Sequence, residues 1–219
     1  LRGRRIAGAI QPRRLRASGR GWLILALGVV AFWILVAATG RAALTVDVID
    51  SRSVQWLADR RTDVMTAVMK AIAALTSARG LQVLWLANLL VLVLWRRWRH
   101  LFVAIGAMLV VSAVAEGVAE IMQRPRPLGV EILGPWQGFA MPSRPMAVLA
   151  TVLVNILYSL VPAGRWRRLG KGVVGFILLL SGFARVYLGQ DGPSDVLFGV
   201  VIGIAIPLTA FRLFAPNEV

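Results

Sequence analysis

Three short polar stretches interrupt long apolar runs: Arg124-Pro125-Arg126-Pro127, Gly138-Phe139-Ala140-Met141-Pro142-Ser143-Arg144-Pro145, and Arg185-Val186-Tyr187-Leu188-Gly189-Gln190-Asp191 continuing to Asp195. An arginine offers five donors in a planar fork that fits a phosphate, and a serine adds a hydroxyl. Arg124, Arg126, Arg144, Arg185 and Ser143 are therefore candidates for holding a phosphate group. The side chain most often used to attack or protonate a phosphate ester near neutral pH is imidazole. The chain's single histidine, His100, lies in none of the three stretches.

The elements that must position these residues follow from composition. Of 219 residues, 58% are hydrophobic and only 16% charged, and the mean hydropathy is +0.73, well outside the range of an ordinary soluble domain. This is a membrane protein. A net charge of +15 does not make it a nucleic-acid binder, because the arginines cluster in short caps between apolar runs rather than along a groove. With no cysteine there is no disulfide, thiolate nucleophile or cysteine-type zinc site. Eight Trp and two Tyr, several beside the arginine clusters, suit an interfacial aromatic belt.

A helix rises 1.5 Å per residue and the hydrocarbon core is about 30 Å thick, so a span needs roughly 20 apolar residues. Six runs, some completed by their flanks, predict an all-α polytopic bundle with six transmembrane helices near 21–39, 81–95, 101–122, 146–161, 173–188 and 196–214. Backbone groups in lipid must be satisfied internally, which favours helices over open strands. Between the first two runs, residues 54–77 carry an apolar stripe at helical spacing, predicting one or two helices at the interface or packed beside the bundle. Arg61 falls on that stripe and weakens a single continuous helix. The small residues Gly199, Gly203, Ala147 and Ala150 are read as close-packing points between spans.

Short cytoplasmic loops gather Lys and Arg. Seven arginines precede the first run, Arg96, Arg97 and Arg99 follow the second, and Arg165, Arg167, Arg168 and Lys171 follow the fourth. With six spans these clusters share the cytoplasmic side of a bacterial plasma membrane, and all three polar stretches share the external side. The apolar run after the basic opening is read as an anchor rather than a cleaved signal peptide. Residues 1–20 form a basic cytoplasmic segment, 21–214 the membrane domain, and 215–219 a tail that leads into a further domain if the chain is part of a longer polypeptide.

The three stretches, with their order and spacing, resemble the signatures of the type 2 phosphatidic acid phosphatase and vanadium haloperoxidase superfamily. In that family a lysine and two arginines hold the phosphate, a serine hydroxyl and backbone amides complete the cradle, one histidine attacks, another protonates the leaving group, and an aspartate orients the nucleophile. The resemblance carries these roles onto Arg126, Ser143, Arg185 and Asp195, with Pro127 and Pro142 also matching. Five positions depart: Ala119 stands for the lysine, Arg144 for a glycine, Pro145 for the acid histidine, Ala184 for a serine, and Asp191 for the nucleophilic histidine. The family's phosphohistidine route therefore has no imidazole to run on, and no cofactor is expected.

Alternatives follow from these departures. Asp191 either attacks phosphorus itself, as carboxylates do when a metal and a separate acid assist, or neutralises Arg185, Arg126 or Arg144 across the pocket. Glu116 and Glu120, inside an apolar run, form an inward salt-bridge ladder with Arg124, a proton relay, or with Asp191 a divalent-metal site. The expected function is a catalytically inactive module with an external arginine-lined pocket for a phospholipid or polyprenyl phosphate. Its partners are membrane lipids, with further domains or membrane subunits, and not nucleic acid. The alternatives are a lipid phosphatase or phosphotransferase using Asp191, and a lipid-translocating assembly using Glu116 and Glu120.

Overall fold

The computed structural model describes residues 13–39, 41–126, 129–135 and 138–214. Pro127 and the tail at 215–219 lie outside them, as does most of the basic opening segment. Polar caps and helix breakers divide the described residues into eight α-helices and no strand. They are α1 (Arg13–Thr39), α2 (Arg41–Ala58), α3 (Asp63–Ala73), α4 (Ala78–Leu94), α5 (Trp98–Met122), α6 (Arg144–Leu160), α7 (Arg165–Tyr187) and α8 (Pro193–Phe214), with a single 3₁₀ turn at Ala74–Thr76.

The caps follow local chemistry. Thr62 accepts a hydrogen bond from the Met65 amide at the start of α3, and Asp63 and Lys70 sit at the helix ends that favour their charges. Ser77 caps α4 through the Gly80 amide. At the start of α8, Pro193 lacks an N–H that the first turn could not use, and Asp195 adds an acid where the helix dipole is positive.

The chain is an integral membrane helix bundle. Four helices are long and apolar enough to cross a bilayer: Ser18–Val36 within α1, and α5, α7 and α8. The Asp63–Thr76 segment and α4 form a fifth candidate, bent by 44° at their junction. The sixth expected span, α6, has 17 residues and reaches only about 26 Å. It is a central helix: Met146, Ala147, Leu149, Ala150, Val152 and Val154 are all buried against neighbours rather than facing lipid. Outward faces of the other helices are apolar, as at Leu86, Leu90, Phe102, Leu109, Phe176 and Leu179.

Helix α8 runs through the middle, against α1, α5, α6 and α7. Its closest approach is to α6, where a Cβ added at Gly199 lies 2.5 Å from the Ser143 carbonyl oxygen and one at Gly203 lies 2.4 Å from that of Ala147. Around this seam Val111, Ala115, Met141, Ala147, Phe198 and Ile202 form one buried cluster.

The interfacial segment differs from expectation at its start. Its first helix begins at Arg41, not near residue 54, because its acids are satisfied by tertiary partners that no local pattern reveals. It breaks at 59–62, where Arg61 leaves the helix and donates to the carbonyls of Tyr187 (3.0 and 2.8 Å) and Glu131 (2.9 Å). The turn between α2 and α3 is thereby tied to the end of α7 and to the loop at 129–135.

Candidate functional site

All three polar stretches meet at one end of the bundle, beyond the C-termini of α5 and α7 and the N-termini of α6 and α8. His100 lies in the first turn of α5 at the other end, roughly 33 Å away along that helix. It packs beside Phe211 and takes no part in the site.

Two charge clusters organise this end. The first surrounds Asp191, in the turn between α7 and α8, whose side chain is 1% exposed. Arg126 donates through Nη1 to Asp191 Oδ1 at 2.9 Å. Asp191 Oδ2 accepts from Arg185 Nε at 2.5 Å and from Ser143 Oγ at 2.6 Å. Arg126 also donates to the Gln190 carbonyl, and Arg185 to Thr76 Oγ1 at 3.3 Å. Burial alone disfavours the Asp191 charge, but Arg185, Ser143 and Arg126 together hold its carboxyl below the ordinary aspartate range. At neutral pH it is an anion.

The second cluster surrounds Arg124. Its fork donates to Asp47 at 2.7 Å, Asp50 at 2.8 Å and Asp195 at 2.6 Å, and also to Ser194 Oγ at 2.7 Å. Burial disfavours its charge, but Asp195, Asp50 and Asp47 outweigh that and raise its pKa. Arg124, expected to hold phosphate, has its donors on three carboxylates and lines a smaller cleft of about 140 Å³. Asp195 belongs to this cluster too, held by Arg124 and by the Gly192 amide at 2.8 Å. Asp50 in turn accepts from the Ser194 amide at 3.2 Å and from its hydroxyl, so α2 is clamped onto the start of α8.

A cavity of about 630 Å³ opens over the first cluster. Its charged lining is Lys70, Arg126, Arg144, Arg185 and Asp191, four cations against one carboxylate. Pro145, which has neither a side-chain donor nor a backbone N–H, also lines it. The loop wall is held by Gln190, whose amide donates to the Leu133 carbonyl at 3.2 Å, while the Leu133 amide donates to the Leu188 carbonyl at 2.9 Å. Arg144 is half exposed at the rim and faces Glu116 at 3.6 Å.

Glu116 and Glu120 do not form the inward ladder that was one expectation for them. Both are exposed on α5, and Arg124 pairs with Asp47, Asp50 and Asp195 instead of Glu120. The reason is helical phase: α5 buries Ala115, Val118 and Ala119, which turns 116 and 120 outward. Among the described residues no three His, Asp or Glu side chains are gathered as a metal ion requires. Sequence reasoning missed Lys70, Thr76, Asp47 and Asp50. The signal for the last two was a pair of acids three residues apart.

A family model described as the PAP2 superfamily matches residues 98–218, more than half of the chain. The fold is similar to the crystal structure of a transmembrane PAP2 type phosphatidylglycerolphosphate phosphatase from Bacillus subtilis, with a TM-score of 0.75 and 20% identity over 89% of this chain and 98% of that one. It is also similar to Aquifex aeolicus LpxE, with a TM-score of 0.61 and 21% identity over 75% of this chain and 95% of that one. No curated protein sequence matches the chain significantly. The family model spans α5 through α8, the helices whose ends carry the three polar stretches, and on that match the protein belongs to the PAP2 superfamily.

Proposed function

We propose that this chain is a PAP2-fold membrane module that binds the phosphate head group of a phospholipid or polyprenyl phosphate without hydrolysing it, serving as a binding or scaffolding unit. The observation that carries the reading is the state of Asp191. Both of its oxygens accept hydrogen bonds from the arginines and serine matched to the family's phosphate cradle, which take three of its roughly four acceptor positions. A nucleophile needs a free lone pair directed at the reacting atom. Pro145 has no proton to give a leaving group. Four cations against Asp191 within the cavity and Glu116 at its rim leave the cavity attractive to anions. The lipid phosphate named for the Bacillus subtilis neighbour's substrate supports the ligand class. We place the cavity on the external face of a bacterial plasma membrane, with both termini cytoplasmic.

The test is turnover of phosphatidate and of undecaprenyl phosphate and diphosphate by the purified protein, with and without divalent metal, beside Asp191→Asn. No turnover is expected. Hydrolysis by the parent that disappears in the variant overturns the inactive reading. Binding is tested by thermal stabilisation with phosphatidate micelles against phosphatidylcholine micelles. Stabilisation by phosphatidate that falls in a Lys70→Ala/Arg144→Ala double variant is expected, and no stabilisation of the parent sinks the binding role.

A further inference from the structure

The Asp191 cluster holds more cationic donors than a structural ion pair needs. One arginine neutralises one carboxylate, and a bidentate pair already satisfies it. Here Arg126, Arg185 and Ser143 converge on a single carboxylate from three separate elements: the loop after α5, the last turn of α7 and the residue before α6. The two arginines exceed the one carboxylate they share, and both line the 630 Å³ cavity, where an anion can reach them. The carboxylate is delivered by the chain itself, six residues after Arg185 across the turn at Gly189, whose φ of 73° lets the backbone double back. Asp191 also forms part of the wall of the 630 Å³ cavity, so an anion arriving there meets these donors once the carboxylate is gone.

Resting on the anion-binding reading of that cavity, we infer that Asp191 is an internal pseudo-ligand: its carboxylate occupies an inner phosphate position built by Arg126, Arg185 and Ser143, and leaves the rim cations Lys70 and Arg144 to hold an incoming head group. The inner position is closed to free phosphate in the parent chain and opens when Asp191 is neutralised. Asparagine keeps the size of the side chain but carries no charge, so it leaves the two guanidinium groups short of an anion. A phosphate can then supply the oxygens the carboxylate gave.

The experiment compares the parent, Asp191→Asn and the double variant Asp191→Asn/Arg185→Gln, each purified in detergent in sodium phosphate or in sodium chloride of equal ionic strength. The double variant restores the parent's formal charge in the cluster and retains Arg126 and Ser143. The parent is expected to gain little from phosphate over chloride, since only the rim cations Lys70 and Arg144 are open to it. Both variants are expected to be stabilised by phosphate over chloride, Asp191→Asn more strongly, with an apparent affinity for inorganic phosphate at least tenfold tighter than the parent's. Phosphate stabilisation of the parent equal to that of Asp191→Asn overturns the inference. So does failure of both variants to gain from phosphate, whether they fold equally in the two salts or in neither. Phosphatidate binding by the parent is scored separately: its absence removes the module's proposed function, while phosphate gained by the variants still establishes the closed inner position.

Discussion

A carboxylate in place of an imidazole changes what the surrounding cations do. In the Asp191 cluster the arginines are consumed by the chain's own charge, and breaking such a buried pair from one side is expensive because it strands the partners. Asp191→Asn is expected to destabilise the protein by about 3–5 kcal/mol in chloride buffer, seen as a lower Tm in detergent; a loss under about 1 kcal/mol contradicts the pairing. The pH dependence has a definite sign. Because Arg185, Ser143 and Arg126 hold the folded-state pKa below the unfolded value of about 3.9, folding gains stability from this group above that pH and loses it as pH falls through the folded value. The parent should therefore keep its advantage over Asp191→Asn from pH 7 down to about pH 4 and surrender it below, as two thermal titrations will show. Sequence alone made Arg126, Ser143, Arg185 and Asp191 legible, since they sit in recognisable motifs. Lys70 and Thr76 were not, because they reach the cavity from the α3 segment, far from the polar stretches in sequence, and nothing local marks them.

At the scale of elements, the helices of the bundle were legible from hydrophobic runs. What could not be read was phase and clamping. The outward turn of Glu116 and Glu120 depends on which face of α5 meets α6 and α8, and the early start of α2 depends on Asp47 and Asp50 finding Arg124 and Ser194. That clamp is testable by itself. Asp50→Ala leaves Arg124 with two carboxylates but frees Ser194, and it should cost about 1–3 kcal/mol, with faster amide exchange in 41–58 and no change in α5; uniform exchange rates across both helices contradict the clamp. The seam between α6 and α8 gives a contrasting pair. Gly203→Ala forces a methyl against the Ala147 carbonyl and the Ala150 side chain and should cost about 3 kcal/mol. Gly106→Ala meets nothing within 4 Å and should be neutral or slightly stabilising through helix propensity. Equal effects at the two sites rule out a close-packed seam.

Across the whole molecule, the cations at the cavity end are interleaved with carboxylates, while the basic clusters at the opposite end have none among them. The turn carrying Arg96 and Arg97, and the start of α7 with Arg165, Arg167 and Arg168, lie at the end away from the cavity. The start of α1 joins them, since Gly19 packs against Leu213 and its carbonyl accepts from Thr209 at 3.4 Å. Exposed Trp95, Trp98 and Trp166 ring that end, two of them beneath the guanidinium groups of Arg97 and Arg165, as an interfacial belt requires. Trp56 under Arg60 marks the other. Basic residues resist translocation, so the end rich in arginine should stay in the cytoplasm and the cavity should open outside. The absence of native cysteine makes this directly measurable, because each introduced thiol is then the only one. Glu131→Cys, exposed beside the cavity, should react with a membrane-impermeant maleimide on intact cells. Ala163→Cys, exposed in the turn between α6 and α7, should react only after permeabilisation. The reverse pattern would put the cavity in the cytoplasm and restrict its ligands to lipids of the inner leaflet; labelling of both thiols on intact cells would mean that the two ends do not face opposite compartments.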